Sequence, residues 1–70
     1  MYRFLIVIEK AENNYSAYSP DLPGCVATGK TKEEVMTNIH SAIEMHLSGL
    51  KEDNFPIPEP SSYADYVSVE

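Results

Sequence analysis

The order of apolar and polar positions predicts a strand over residues 2–9, which are rich in β-branched and aromatic side chains. Both faces of this strand are apolar, because Leu5 and Val7 alternate with a second apolar set: Tyr2, Phe4, Ile6 and Ile8. Such runs are typical of strands that are covered on both faces. We therefore expect this first strand to lie inside a sheet.

Two further short strands follow. The polar residues 12–14 indicate a turn, residues 15–19 return as a second strand, and residues 25–28 form a third. Short connections between consecutive strands predict an antiparallel meander.

The loop between the second and third strands is predicted to be rigid. Pro20, Pro23 and Gly24 favour backbone angles that a strand interior does not accept, and Asp21 can bond its own backbone. The loop has two interpretations: it sets the angle between the strands, or it presents Asp21 and Leu22 to a protein partner. The candidate partner-binding residues are Tyr18, Asp21, Leu22 and Pro23.

A helix is predicted over residues 32–52. Thr31 and Glu34 form a capping box, in which each side chain is expected to bond the other residue's backbone N–H. Apolar residues then recur at spacings of three and four, which is typical of an amphipathic helix. Asn54 is a candidate left-handed cap, and Pro56 prevents continuation.

The end of the chain predicts a connector and a last strand. Residues 56–60 alternate proline with other residues, which favours an extended polyproline conformation. Residues 63–69 then resemble a fourth strand that runs parallel to the first, because a helical crossover precedes it. The predicted fold is one α+β domain over residues 1–70, with element order β-β-β-α-β and sheet order 3-2-1-4.

One helix can cover only one face of this sheet. We expect the other face, with Leu5 and Val7, to be buried in a homo-oligomer, either a dimer or a tetramer, or against a partner. A chain of 70 residues removes only about 60% of its unfolded surface from water on folding, so association would add stability.

Eleven acidic residues against five basic ones give a formal charge of −6. This charge argues against direct contact with nucleic acid and permits a basic protein as partner, although it also serves ordinary solubility. The first apolar run is too short to cross a membrane and has no cleavage site, so we expect a cytoplasmic protein without a membrane contact.

The chemistry of the side chains does not indicate an enzyme. Cys25 is the one candidate nucleophile, and the sequence places neither His40 nor His46 beside it. The two histidines are six residues apart, which does not suit a shared metal ion on a helix. We expect Cys25 and His46 to be buried or half-buried core residues, His40 to pair with Glu44, and no cofactor to bind.

The motif Tyr18-Ser-Pro-Asp-Leu-Pro-Gly-Cys25, followed by Thr28-Gly-Lys-Thr31, Glu33-Glu34 and Pro56-Ile-Pro-Glu-Pro60, resembles the HicB antitoxin family in its small stand-alone form. The likeness covers nearly the whole chain. It implies a partial ribonuclease H-like fold with the element order derived above.

The resemblance also implies a function without catalysis, in which the chain binds and masks a small basic HicA-like toxin, an mRNA ribonuclease. Many members carry a C-terminal DNA-binding segment, but this sequence ends at Glu70, so we expect none. The alternative is a stand-alone oligomeric binding or regulatory module without a toxin partner.

Overall fold

A computed structural model describes residues 2–70. It contains three strands, β1 (Val7–Lys10), β2 (Tyr15–Tyr18) and β3 (Val26–Gly29), followed by one helix, α1 (Lys32–Glu52). The strands form an antiparallel sheet in the order β1-β2-β3. The predicted meander, and the helix that follows it, are confirmed.

Strand β1 begins five residues later than predicted, at Val7 instead of position 2. Its neighbour β2 ends at Tyr18, and Pro20 has no backbone N–H with which to extend the ladder. The Ser19 hydroxyl donates instead to the Leu5 carbonyl at 2.9 Å. Residues 2–6 therefore precede β1 without a ladder partner among the described residues.

Helix α1 packs against one face of β2 and β3. Five buried side chains form the core between them: Ala17, Leu22, Cys25, Val35 and Ile39. The helix approaches β3 closely at Gly29, where an added Cβ atom would lie 2.6 Å from the backbone nitrogen of Val35. This glycine therefore allows the contact between helix and sheet.

The ends of α1 agree with the prediction in most respects. The Thr31 hydroxyl accepts a hydrogen bond from the Glu34 N–H at 3.0 Å, while the Glu34 carboxylate accepts from the Lys30 N–H at 2.8 Å and not from Thr31 as expected. At the other end, Asn54 has a φ of 58°, in the left-handed region. These caps fix the helix to the predicted bounds, 32–52.

The predicted fourth strand over residues 63–69 is not shown, and neither is its place in the order 3-2-1-4. Residues 55–70 contain no regular element. Residues 60–64 run beside residues 3–6, but a groove separates the two segments, so their backbones do not pair. We call residues 63–69 the C-terminal arm.

Candidate functional site

The loop between β2 and β3 is built from two consecutive turns. The Leu22 N–H donates to the Ser19 carbonyl at 3.1 Å, and the Cys25 N–H donates to the Leu22 carbonyl at 3.0 Å. Pro23 and Gly24, with φ 85° at Gly24, occupy the central positions of the second turn, as type II turns require. The loop is therefore shaped by its own backbone, as the sequence predicts.

The Asp21 carboxylate joins this loop to the two serines just before the C-terminal arm. It accepts hydrogen bonds from the hydroxyls of Ser61 and Ser62, both at 3.0 Å, and from the Ser62 N–H at 3.3 Å. Partial desolvation raises the pKa of Asp21, but the hydrogen bonds from Ser62 and Ser61 outweigh it and leave the pKa below its ordinary value. Asp21 is thus an anchor for the chain near position 61.

The sheet face opposite α1 carries an apolar row that crosses all three strands. Val7 pairs with Tyr18, and Tyr18 pairs with Val26, so their side chains stand side by side on this face. Tyr18 is 40% exposed and Val26 is 66% exposed. Glu9, two residues beyond Val7, adds a carboxylate to the same face. We call Val7, Glu9, Tyr18 and Val26 the open face.

The structure changes the predicted partner-binding set. Leu22 is fully buried in the core, so its side chain is not available to a partner. Its expected role is wrong because the two turns direct Leu22 under the loop, toward Val35 and Ile39. Pro23 is exposed at the loop tip, and Asp21 is half-exposed and bonded to the serines.

Sequence reasoning separated two surfaces that the structure joins. Tyr18 was assigned to a partner and Val7, with Leu5, to an oligomer, yet Val7 and Tyr18 are direct cross-strand neighbours. Val26 was not singled out, although the alternation in residues 25–28 places it on the face opposite Cys25. Ser61 and Ser62 gave no sequence signal, since their role depends on contacts with Asp21.

The three residues with potentially reactive side chains, Cys25, His46 and His40, lie in ordinary core or surface positions. Burial raises the pKa of the Cys25 thiol, which disfavours the thiolate that a nucleophile needs. His46 is half-buried and lines a groove with Cys25, whereas His40 Nδ1 lies 3.3 Å from the Glu44 carboxylate on the surface of α1. Within residues 2–70, no three potential ligands cluster as a metal ion would require.

The one helix in the described part of the chain is not long and apolar enough to cross a membrane.

Residues 4–70 match the family model described as HicB_like antitoxin of bacterial toxin-antitoxin system. This match spans nearly the whole chain. The chain belongs to the HicB-like antitoxin family, which confirms the family suggested by the loop motif.

Relatives occur in several organisms. A UPF0150 protein of Thermoplasma acidophilum is 38% identical over 86% of this chain and 88% of its own length. An uncharacterized 14.9 kDa protein of Haemophilus phage HP1 is 36% identical over 90% of this chain but only 47% of its own length, and a UPF0150 protein of Helicobacter pylori is 53% identical over 67% and 65%. The chain thus spans about half to two thirds of these last two relatives.

One solved structure is similar in both fold and sequence. It is a chain of the HicA3 and HicB3 toxin-antitoxin complex, with a TM-score of 0.66 and 29% identity over 84% of this chain and 72% of that chain.

Proposed function

We propose that the chain is a non-catalytic antitoxin that binds a basic HicA-like ribonuclease and masks the surface with which the toxin holds RNA. The observation that carries this proposal is the family match over residues 4–70, supported by the likeness to a chain of a HicA3 and HicB3 complex. Because such a toxin would act on mRNA, we place the interaction in the cytoplasm.

The charge of the chain supports this partner. The chain carries a formal charge of −6, and a protein that binds RNA carries clustered positive charge. Opposite fields accelerate the encounter of two proteins and disfavour wrong partners. Contact between the acidic chain and the RNA-binding surface would exclude the phosphates that this surface otherwise holds.

We propose that Glu9, Tyr18 and Val26 of the open face, extended by Asp21 and Pro23 of the loop, form the surface that meets the toxin, while Val7 at its border remains for the contact with a second copy. α1 covers the opposite side of the sheet, so the open face is the side of the sheet that a partner can reach. Tyr18 lies at its centre, and tyrosine is enriched among residues that dominate binding energy. Glu9 supplies a carboxylate beside this apolar centre, matching a toxin with both apolar and basic groups.

The proposal is tested by titrating a purified HicA-like toxin from the same genome with the chain and with two arginine variants. Val26→Arg adds bulk and positive charge to the open face, and we expect its dissociation constant for the toxin to rise about tenfold or more, which corresponds to about 1.4 kcal/mol. Ser41→Arg places the same side chain on exposed α1 and serves as the matched control, with affinity close to that of the unaltered chain.

Two results would contradict the proposal. If the unaltered chain does not bind the toxin, the antitoxin function is wrong. If both arginine variants bind equally well, the function stands but the open face is not the contact surface. Circular dichroism of each variant establishes that it remains folded.

We also propose that the chain is a homo-oligomer, a dimer or a tetramer, in which Leu5 and Val7 contact a second copy. Both side chains are half-buried, although α1 lies on the other side of the sheet. In this oligomer, residues 63–69 form the fourth strand of the sheet, and the strand order becomes 3-2-1-4.

A second candidate function, a stand-alone binding module without a toxin, is favoured by a groove of about 400 Å³ between residues 2–6 and α1. Its walls are mostly apolar and include Phe4, Ile6, Ile43 and Leu47, and its volume lies in the range of small-molecule sites. Thermal unfolding of the chain in the presence of apolar metabolites would test this function. A raised midpoint without any toxin binding would favour the module.

A further inference from the structure

The C-terminal arm exposes its apolar side chains almost completely. Tyr63, Tyr66, Val67 and Val69 are between 85% and 98% exposed. Single exposed apolar residues are common, but four within seven positions form a patch of the kind that marks an interaction site.

The sequence of the arm is that of a strand rather than of a flexible tail. Val67 and Val69 are β-branched residues on one side of an extended segment, with Ser68 between them, and Tyr66 adds an aromatic residue that strands favour. In the described chain these residues have no ladder partner. The arm thus has the sequence of a strand but pairs with no strand in the described chain.

The sheet, in turn, has an edge strand, β1, whose outer side is unpaired in the described chain. β1 pairs with β2 on one side only, and no described backbone hydrogen bond joins residues 3–10 to the arm on the other side. An open edge exposes unpaired N–H and C=O groups and is a template for another strand. Residues 3–6 and β1 together span eight residues, about the length of the seven-residue arm.

The start of the arm lies beside residues 3–6 of its own chain but does not pair with them. The hydrogen bonds from Ser61 and Ser62 to Asp21 fix the chain just before the arm, and a groove of about 530 Å³ lies between residues 60–64 and residues 3–6. The connector before it contains Pro56, Pro58 and Pro60, which make it semi-rigid. Beyond Ala64 the arm makes little contact with the body of its own chain, since Tyr66, Val67 and Val69 are at least 85% exposed.

We infer that two copies of the chain complete each other's sheet by exchanging arms. Residues 63–69 of each copy form the fourth strand beside β1 of the other copy, parallel to it. Exchange of an identical element is a low-cost route to a dimer, because it uses contacts that the closed chain would make. This inference rests on the proposed homo-oligomer and is independent of the toxin.

The charges near the two segments are complementary. Arg3 and Lys10 are exposed near the two ends of the open edge, whereas the arm carries Asp65 and is followed by Glu70. A parallel arm thus brings acidic side chains to an edge flanked by basic ones. An arm from a second copy also extends the sheet beside Leu5 and Val7, the two residues expected at the oligomer contact.

The test combines the mass of the chain in solution with the contacts of the arm. Analytical ultracentrifugation of the full chain is expected to give a dimer at micromolar concentration. An equimolar mixture of isotope-labelled and unlabelled full chains then gives intermolecular nuclear Overhauser effects, and we expect them between residues 66–69 of one copy and residues 6–9 of the other.

Val67→Asp places a charge on the apolar side of the arm and is expected to raise the dissociation constant of the dimer at least tenfold. Ser41→Asp, on exposed α1, adds the same charge and is expected to leave the dimer unchanged. Val67 lies far from the core, so the variant should fold, which its amide spectrum will establish.

A folded monomer at micromolar concentration would overturn both the oligomer and the exchange of arms. An oligomer that lacks intermolecular contacts between arm and β1, or in which Val67→Asp associates as well as Ser41→Asp, would overturn the exchange alone. Toxin binding is measured separately, so failure of the antitoxin function is distinguishable from either result.

Discussion

The carboxylate of Asp21 accepts a 3.0 Å hydrogen bond from the hydroxyl of Ser62, forty-one residues further along the chain. This bond ties the rigid loop between β2 and β3 to the segment from which the C-terminal arm departs. The loop motif thereby acquires a structural role that is separate from contact with a partner. Asp21 aims the arm.

We expect Asp21→Asn to release the segment around Ser61 and Ser62, because a neutral amide accepts more weakly than a carboxylate and cannot receive the three bonds equally well. The expected result is faster hydrogen exchange at the Ser62 N–H and faster proteolysis near position 61. Asp53→Asn is the matched control, since Asp53 is exposed at the end of α1 and no hydrogen bond within the described residues reaches its carboxylate. Equal exchange in both variants would contradict the anchoring role.

The same contact is expected to depend on pH. The pKa of Asp21 is lowered in the folded chain, so its contribution is present above the ordinary value of 3.8 and is lost as the pH falls through the folded pKa. We expect the amide signal of Ser62 to move toward its position in the Asp21→Asn variant below about pH 4. A transition centred above 3.8 would contradict this assignment.

Substitution by alanine at Gly29 and at Gly49 should change the free energy of unfolding in opposite directions. A Cβ atom at Gly29 would meet the Val35 backbone at 2.6 Å, and we expect Gly29→Ala to lower the free energy of unfolding by about 1–3 kcal/mol. Gly49 lies within α1, and beyond the neighbouring helix backbone no atom lies within 4 Å of an added Cβ, so Gly49→Ala should raise the free energy of unfolding by about 0.5–1 kcal/mol. Urea unfolding of both variants checks the signs.

Leu22 should behave as a core residue and not as a contact residue. Its side chain is fully buried, so Leu22→Ala is expected to lower the free energy of unfolding by about 2–5 kcal/mol. Val26→Ala, on the open face, should change it by less than about 0.5 kcal/mol. If Leu22→Ala weakened toxin binding while leaving the unfolding midpoint unchanged, the placement of Leu22 in the core would be wrong.

Local signals account for the parts of the fold that the sequence predicted. The capping residue Thr31, the helical spacing of Val35 and Ile39, and Asn54 fix α1 without reference to other elements. The rigid loop follows from Pro23 and Gly24 in the same way, because turn types depend on the residues that form them.

The parts that could not be predicted depend on contacts between distant segments. β1 starts at Val7 because its neighbour β2 ends at Tyr18. The strand propensity of residues 2–6 carries no information on where β2 ends. The residues that make segment 63–69 resemble a strand do not determine whether its neighbouring strand lies in the same chain or in another copy. Leu22 was misassigned because an apolar residue in an exposed-looking loop can turn inward.

The resemblance to the family lies in the ordered motif 18–25 and its continuation, where each turn residue has a defined backbone role, and the family match over residues 4–70 confirms it. The contact surface was only partly predicted, because Val7, Tyr18 and Val26 become neighbours through strand register. Register depends on the pairing of all three strands, and one short motif does not specify it.

The central claim is that this chain masks a ribonuclease, and inhibition of RNA cleavage tests it most directly. A purified HicA-like toxin is given an RNA substrate and increasing amounts of the chain, with the Val26→Arg and Ser41→Arg variants in parallel. We predict that cleavage stops near equimolar amounts of the chain and of Ser41→Arg, and that Val26→Arg is needed in about tenfold greater amounts or more. Undiminished cleavage in a large excess of the folded chain would contradict the account.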